Sequence, residues 1–135
     1  MIFSDRFEAG QKLAQKILDE AIFCREFSPS ALAFSPESLE TAKGMAQVLK
    51  IPLLELKDVL DLKNKIVFLV DDGSLGEKSF KIAINKVRLF NPKKIVVAMP
   101  IIAKSFLEEI KNLADQVFYL ESLEIFFNTD QFYQK

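Results

Sequence analysis

The sequence has no histidine and a single cysteine among its 135 residues. A triad with an imidazole base, His-ligated zinc and a histidine proton shuttle are thereby excluded within the chain. One cysteine cannot form an intrachain disulfide, and its isolation fits a reducing compartment. Chemistry here has to come from carboxylates, Lys, Tyr, Cys24 or a cofactor, and a metal would be a hard ion such as Mg²⁺ held by oxygens. An excess of either charge is also lacking: 18 Lys and Arg against 19 Asp and Glu give a net charge of −1. A dedicated nucleic-acid binder normally shows a basic excess or a basic face, so no nucleic-acid partner is expected. No apolar run approaches the roughly 20 residues of a membrane-spanning helix. Asp5, Arg6 and Glu8 break any signal-peptide pattern at the start. The expectation is a cytoplasmic protein with no membrane partner.

What is present is an ordinary globular composition, half apolar and 27% charged. The length suits one domain over residues 1–135, large enough to bury roughly two-thirds of its unfolded surface. Helical and strand periods alternate. Phe7, Leu13, Ala14, Ile17, Leu18, Ala21 and Ile22 recur mostly at three- and four-residue spacings, an amphipathic helix. After Ser28-Pro29-Ser30 comes a short buried strand, Ala31 to Phe34. Ser35-Pro36 opens a second helix with Leu39, Ala42, Met45, Ala46 and Leu49 on one face. Pro52 ends it before a strand at Leu53 to Leu56, and Lys57 to Lys65 reads as a short polar stretch. Ile66 to Val70 is a continuous β-branched and aromatic run, the mark of a strand covered on both faces. A helix carrying Phe80, Ala83, Ile84, Val87 and Phe90 leads to a partner strand at Ile95 to Met99. Another helix with Phe106, Leu107, Ile110 and Leu113 precedes a last strand at Val117 to Leu120. Strands and helices alternating through short connections predict a doubly wound, mainly parallel α/β sheet with helices on both faces.

Ligands of such sheets bind outside the carboxyl ends of the strands. The informative segment therefore leaves Val70: Asp71-Asp72-Gly73-Ser74-Leu75-Gly76-Glu77-Lys78-Ser79. Two acids directly after a buried strand would hold carboxylates at the ligand edge, to accept hydrogen bonds from a diol or to stand beside Mg²⁺. The glycine-containing turn then runs into a helix N-terminus, where free N–H groups and the dipole favour an anion. The plainer alternative is that Asp71 and Asp72 end the strand and help start the helix.

These residues resemble the signature of the type I phosphoribosyltransferases, enzymes that use phosphoribosyl pyrophosphate (PRPP): four apolar residues, two acids, then a loop of small residues. Phe3-x-Asp5-Arg6-x-x-Ala9-Gly10 is similar to the opening of a bacterial subgroup of predicted phosphoribosyltransferases. Pro92-x-x-Ile95-Val96-Val97-Ala98-x-Pro100 is similar to its next strand, and Val117-x-x-Leu120-Glu121 with Gln131-Phe132-Tyr133 to its end. The resemblance implies that Asp71 and Asp72 bind the ribose hydroxyls of PRPP with Mg²⁺, and that Gly73, Ser74, Gly76, Lys78 and Ser79 form the phosphate loop. It also implies an enzyme that transfers ribose 5-phosphate to an acceptor and releases pyrophosphate.

The chain departs from that pattern in three places. Gly76-Glu77-Lys78-Ser79 stands where the family has Thr-Gly-Ala-Thr. Pro36-Glu37-Ser38 stands where the family's Arg-Gly-Gly turn contacts pyrophosphate. Only Lys57 to Lys65 fills the place of the flexible catalytic loop and hood, which are therefore expected to be missing. The spacing Ser74-x-x-Glu77 predicts a capping box that brings an anion to the 5′-phosphate position. A carboxylate ~4 Å from a phosphate charge costs on the order of a few kcal/mol at an effective dielectric near 20. The expectation is a ribose-phosphate-binding or regulatory module without the family's catalysis, with an active phosphoribosyltransferase as the alternative.

Other features read more simply. Cys24, beside Phe23 and Phe27, is a small apolar residue without a base to activate it. Lys63-Asn64-Lys65 and Lys93-Lys94 are solvated pairs that lead into strands. Phe126, Phe127, Phe132 and Tyr133 crowd the C-terminal end, where they either pack on the sheet or bury in a partner subunit. A homodimer is expected.

Overall fold

The computed structural model describes residues 3–20, 28–33, 35–59, 61–73, 76–124 and 129–134. Five strands, β1 (Ser30–Ala33), β2 (Leu53–Glu55), β3 (Ile66–Val70), β4 (Lys94–Ala103) and β5 (Gln116–Leu123), alternate with four helices: α1 (Arg6–Glu20), α2 (Pro36–Leu49), α3 (Glu77–Arg88) and α4 (Lys104–Leu113). The strands pair in the order β2-β1-β3-β4-β5, and every pairing is parallel. This is the doubly wound order whose strand sequence reverses between β1 and β3, so a crevice opens at the carboxyl ends of those two strands.

Alternation along the strands divides the core into two layers. Phe68, Val70, Val96 and Ala98 face Leu13, Ile17, Met45 and Leu49 of α1 and α2. Val67, Leu69, Ile95 and Val97 face Phe80, Ile84, Val87, Leu107 and Ile110 of α3 and α4. Both layers must be apolar because each strand is covered twice, which is why β3 reads as an unbroken hydrophobic run.

Two strands run longer than the sequence predicts. β4 continues to Ala103 through Pro100. The Ala98 carbonyl accepts from the Asp71 N–H on the β3 side, and Pro100, two residues on, faces the same side. There β3 has already ended at Val70, so the missing N–H of Pro100 breaks no ladder bond. β5 follows β4 as far as Leu123.

The segment 57–65 is less polar in effect than its composition suggests. A short 3₁₀ turn, Leu56–Asp58, brings Val59 inward, and Leu62 is fully buried beneath the α3 and α4 layer. α2 is opened by Ser35, whose side chain accepts from the Ser38 N–H while the Ser38 hydroxyl accepts from the Ser35 N–H, both at 3.2 Å. Pro36 occupies the first helical position, where no donor is needed. Among the described residues no helix is long and apolar enough to cross a membrane. Cys24, Phe126 and Phe127 lie outside the described residues.

Candidate functional site

β3 delivers Asp71 and Asp72 to the crevice, and both are fully buried. Asp71 continues the ladder through its N–H and folds its carboxylate onto its own backbone: Oδ2 accepts from the Gly73 N–H at 2.9 Å. Gly73 has φ 101°, a left-handed conformation that suits only glycine without strain. Asp72 is met from the far end of the chain. Arg6 Nε donates to Asp72 Oδ2 at 2.6 Å, and Arg6 Nη2 donates to Asp130 Oδ1 at 2.7 Å. The same guanidinium lies over the Tyr133 ring, 4.4 Å from its centroid, and the Tyr133 hydroxyl donates to the Asp72 carbonyl at 2.8 Å. Burial, reinforced by the Asp72 charge, pushes that hydroxyl well above its ordinary titration range.

Local sequence explains how Arg6 reaches this place. Asp5 caps α1, accepting from the Glu8 N–H at 2.8 Å, and Glu8 returns to the Ser4 N–H and hydroxyl. These bonds hold the first turn, and the helix starts at Arg6. Phe3 is fully buried and pairs in parallel with Tyr133. Its N–H donates to the Phe132 carbonyl and its carbonyl accepts from the Gln134 N–H, at 2.8 and 2.9 Å. Phe132 and Tyr133 thus pack with Phe3, Ala9 and Ile101 on the molecule itself.

The phosphate-loop candidates divide. Ser74 lies outside the described residues. Gly76 is the N-cap of α3 and makes no side-chain cap, so Glu77 stands at the first helical position rather than the third. The expected Ser74–Glu77 box is therefore corrected: Glu77 turns toward α4, 3.5 Å from Lys81 at its Oε1, and Lys81 also meets the Glu109 carboxylate. A hydrogen bond shared with Glu109 raises Glu77, while Lys81 and Glu77 together lower Glu109. The box exists instead at Ser35 and Ser38, on the other side of the switch point. Lys78 and Ser79 are exposed in the first turn of α3. Glu77→Ala is accordingly expected to leave the melting temperature within about 2 °C of the parent. A clear drop in thermal unfolding would reinstate the cap.

No family model matches the sequence, and no curated protein does. Solved structures do. TT1426 from Thermus thermophilus superposes with a TM-score of 0.85 at 19% identity, covering 100% of this chain and 91% of that one. A purine phosphoribosyltransferase from Pyrococcus horikoshii superposes with a TM-score of 0.62 at 25% identity, over 87% of this chain and 81% of that one. The fold is that of the type I phosphoribosyltransferases. A hypoxanthine-guanine-xanthine phosphoribosyltransferase is similar at a TM-score of 0.55 and 12% identity, over 74% of this chain and 63% of that one.

A cleft of about 220 Å³ lies between the ends of β1 and β2, lined by Ala33, Ser35, Pro36, Glu55, Leu56 and Lys57. Its floor is the N-terminus of α2, whose third N–H is already taken by Ser35 and whose first turn carries Glu37. That end offers less to an anion than an uncapped helix would. Mg²⁺ is the ion the fold family implies, and Asp72, beside the Arg6 guanidinium, fits it poorly. Asp72 Oδ2 is committed to a guanidinium and Asp71 Oδ2 to a backbone N–H. A dication at Asp72 would stand beside the positive charge of Arg6.

Arg6 is the site residue that sequence reasoning missed. A signal was present: a cation in the first turn of a helix opposes the dipole, so an arginine there calls for a carboxylate elsewhere. The carboxylate lies 66 residues away, and nothing local identifies it.

Proposed function

We propose that this chain is a phosphoribosyltransferase-like protein without the family's transfer activity, working as a regulatory or interaction module. The observation that carries this reading is the pairing of Asp72 with Arg6. An acidic pair that serves a ribose diol has to present its oxygens to solvent, whereas here one acid is sealed by a guanidinium and an aromatic ring. Three features support the same reading. The α2 N-terminus is closed by its own serines and by Glu37. The segment 57–65 is short and anchored in the core by Val59 and Leu62, so it supplies no long lid to exclude water from a transfer step. The α3 loop lacks the family's Thr-Gly-Ala-Thr. If a ribose phosphate is retained as a ligand, Asp71 and Asp72 would face its hydroxyls, and Gly73, Ser74, Gly76, Lys78 and Ser79 its phosphate.

One observation favours the second reading, an active phosphoribosyltransferase with an altered loop. Glu77 points to α4, so it does not bring a carboxylate to the phosphate. Calorimetric titration of the purified protein with PRPP and Mg²⁺, with ribose 5-phosphate as control, separates the two. No heat up to millimolar ligand is expected. Micromolar binding that requires Mg²⁺ would overturn the non-catalytic reading and direct attention to acceptor bases through pyrophosphate release.

A further inference from the structure

Strands of this sheet are entered from the edge opposite the acidic corner, and three of the entries carry lysines. Lys50 precedes β2, Lys63 and Lys65 precede β3, and Lys93 and Lys94 lead into β4. The β3 and β4 entries are bonded to each other: the Lys93 N–H donates to the Lys65 carbonyl at 2.8 Å, and Lys63 pairs with Pro92 in an antiparallel bridge. The β1 and β2 entries are joined by the Ala31 N–H to the Pro52 carbonyl at 2.9 Å. Between the two joined pairs lies a depression of about 290 Å³, lined among others by Ser28, Ser30, Lys50 and Lys65. Strands lie about 4.8 Å apart, so lysines placed from β2 to β4 extend over roughly 14 Å of one edge.

Lys65 is half-buried and the other four lysines are exposed. Among the described residues no ion pair joins Lys63, Lys65 or Lys94 to a carboxylate. Two acids among the described residues have partners of their own near this edge. Asp61 accepts from the Lys63 backbone N–H at 3.0 Å, and Asp115 holds Arg88 and the Ile95 N–H. The entries turn through left-handed residues at Lys50, Asn64 and Asn91, with φ 55°, 64° and 58°. Asparagine tolerates that region. Lys50 holds the position after a helix that glycine usually takes. At the opposite edge stand Glu55, Asp58, Asp71 and Asp72, together with Arg6 and Lys57.

We infer that the strand-entry edge binds a phosphate-bearing polyanion, with Lys63, Lys65 and Lys94 as its principal contacts and the depression at Lys50 and Lys65 seating one phosphate group. Each phosphate presents several acceptor oxygens, and this edge presents ammonium and hydroxyl donors to meet them. Two sources share that chemistry, single-stranded RNA and free inorganic polyphosphate. The site lies away from the acidic corner and does not depend on how that corner is read.

Anisotropy of a labelled short single-stranded RNA and calorimetry with inorganic tripolyphosphate, both on the full chain, test the inference. Three phosphate contacts on a single strand predict a slope of about −2 for log affinity against log salt. The double variant Lys65→Glu/Lys94→Glu is expected to weaken binding at least about tenfold and flatten that slope, while Lys57→Glu at the acidic edge leaves it unchanged. Because Lys63 and Lys94 are exposed, Lys63→Gln/Lys94→Gln should keep the parent melting temperature and lose part of the affinity. RNA bound and not displaced by tripolyphosphate identifies RNA as the source, and displacement identifies free polyphosphate. No binding of either probe at low salt, binding unaffected by the double variant, or equal binding of poly-glutamate would overturn the inference.

Discussion

Arg6→Ala is expected to destabilise the protein by about 3 kcal/mol, and Asp72→Ala by about half as much. The asymmetry follows from where the two charges lie. Asp72 is fully buried, so removing Arg6 leaves a carboxylate with no route to water, and an uncompensated buried charge is the costly case. Arg6 is 21% exposed and also bonded to Asp130, so it can turn toward solvent when Asp72 is truncated. Removing both partners together should cost less than the sum, because the stranded charge disappears with the second change. Urea unfolding of the two single variants and the double variant gives the three values. Equal losses in the single variants would mean that the pair is solvated and the acidic corner open. The cycle bears on function as well as stability. If Arg6 merely occupies a ligand's place, Arg6→Ala should gain affinity for ribose 5-phosphate or Mg²⁺ while losing stability. If the pair is structural, stability alone should fall.

The sheet was legible in the sequence because its strands are buried on both faces. Ile66–Val70 and Ile95–Met99 cannot be solvent-exposed, and helical spacing between them dictates a parallel crossover. The acidic pair was legible too, since carboxylates after a buried strand fall at the edge where such folds bind ligands. What was hidden is non-local. Arg6 and Tyr133 converge on Asp72 from both ends of the chain, with Asp130 bonded to Arg6, and no spacing rule couples residue 6 to residue 133. The capping error has a different cause. Ser74-x-x-Glu77 and Ser35-x-x-Ser38 both offer a hydroxyl three residues before a helical donor, but only the first matches the usual Ser-x-x-Glu form. The helix begins at Glu77, so that match was out of phase by two residues. Serine at both ends of the real box was invisible to a rule that expects a carboxamide or carboxylate at the third position.

Gly44→Ala and Gly10→Ala are each expected to lose about 3 kcal/mol, on the order of 10 °C in melting temperature. The two glycines face each other's helices reciprocally. A Cβ on Gly44 would fall 2.0 Å from the Phe7 carbonyl oxygen and 3.1 Å from the Gln11 nitrogen. A Cβ on Gly10 would fall 2.0 Å from the Thr41 carbonyl oxygen and 3.0 Å from the Met45 nitrogen. Those atoms are backbone and cannot rotate away, so α1 and α2 have to separate by more than 1 Å (normal C···O contact is about 3.3 Å). Separation opens the whole layer formed by Leu13, Ile17, Met45 and Leu49 against the sheet. It also exposes the fault line at Thr41, whose buried hydroxyl has no hydrogen-bond partner among the described residues. Gly76→Ala is the control: among the described residues, its chain neighbours aside, no atom lies within 4 Å of a Cβ there, so only the weaker capping preference is lost, about 1 kcal/mol or less. The two core variants should be strongly non-additive, because a crossing already forced apart by one methyl admits the second cheaply. Phe7 is the residue after Arg6, so whatever moves the Phe7 carbonyl moves the guanidinium. Gly44→Ala should therefore weaken the Arg6–Asp72 pair, and Arg6→Ala should cost less in a Gly44→Ala background than in the parent. If the two losses simply add, the helix crossing and the acidic corner are independent, and the glycines serve packing alone.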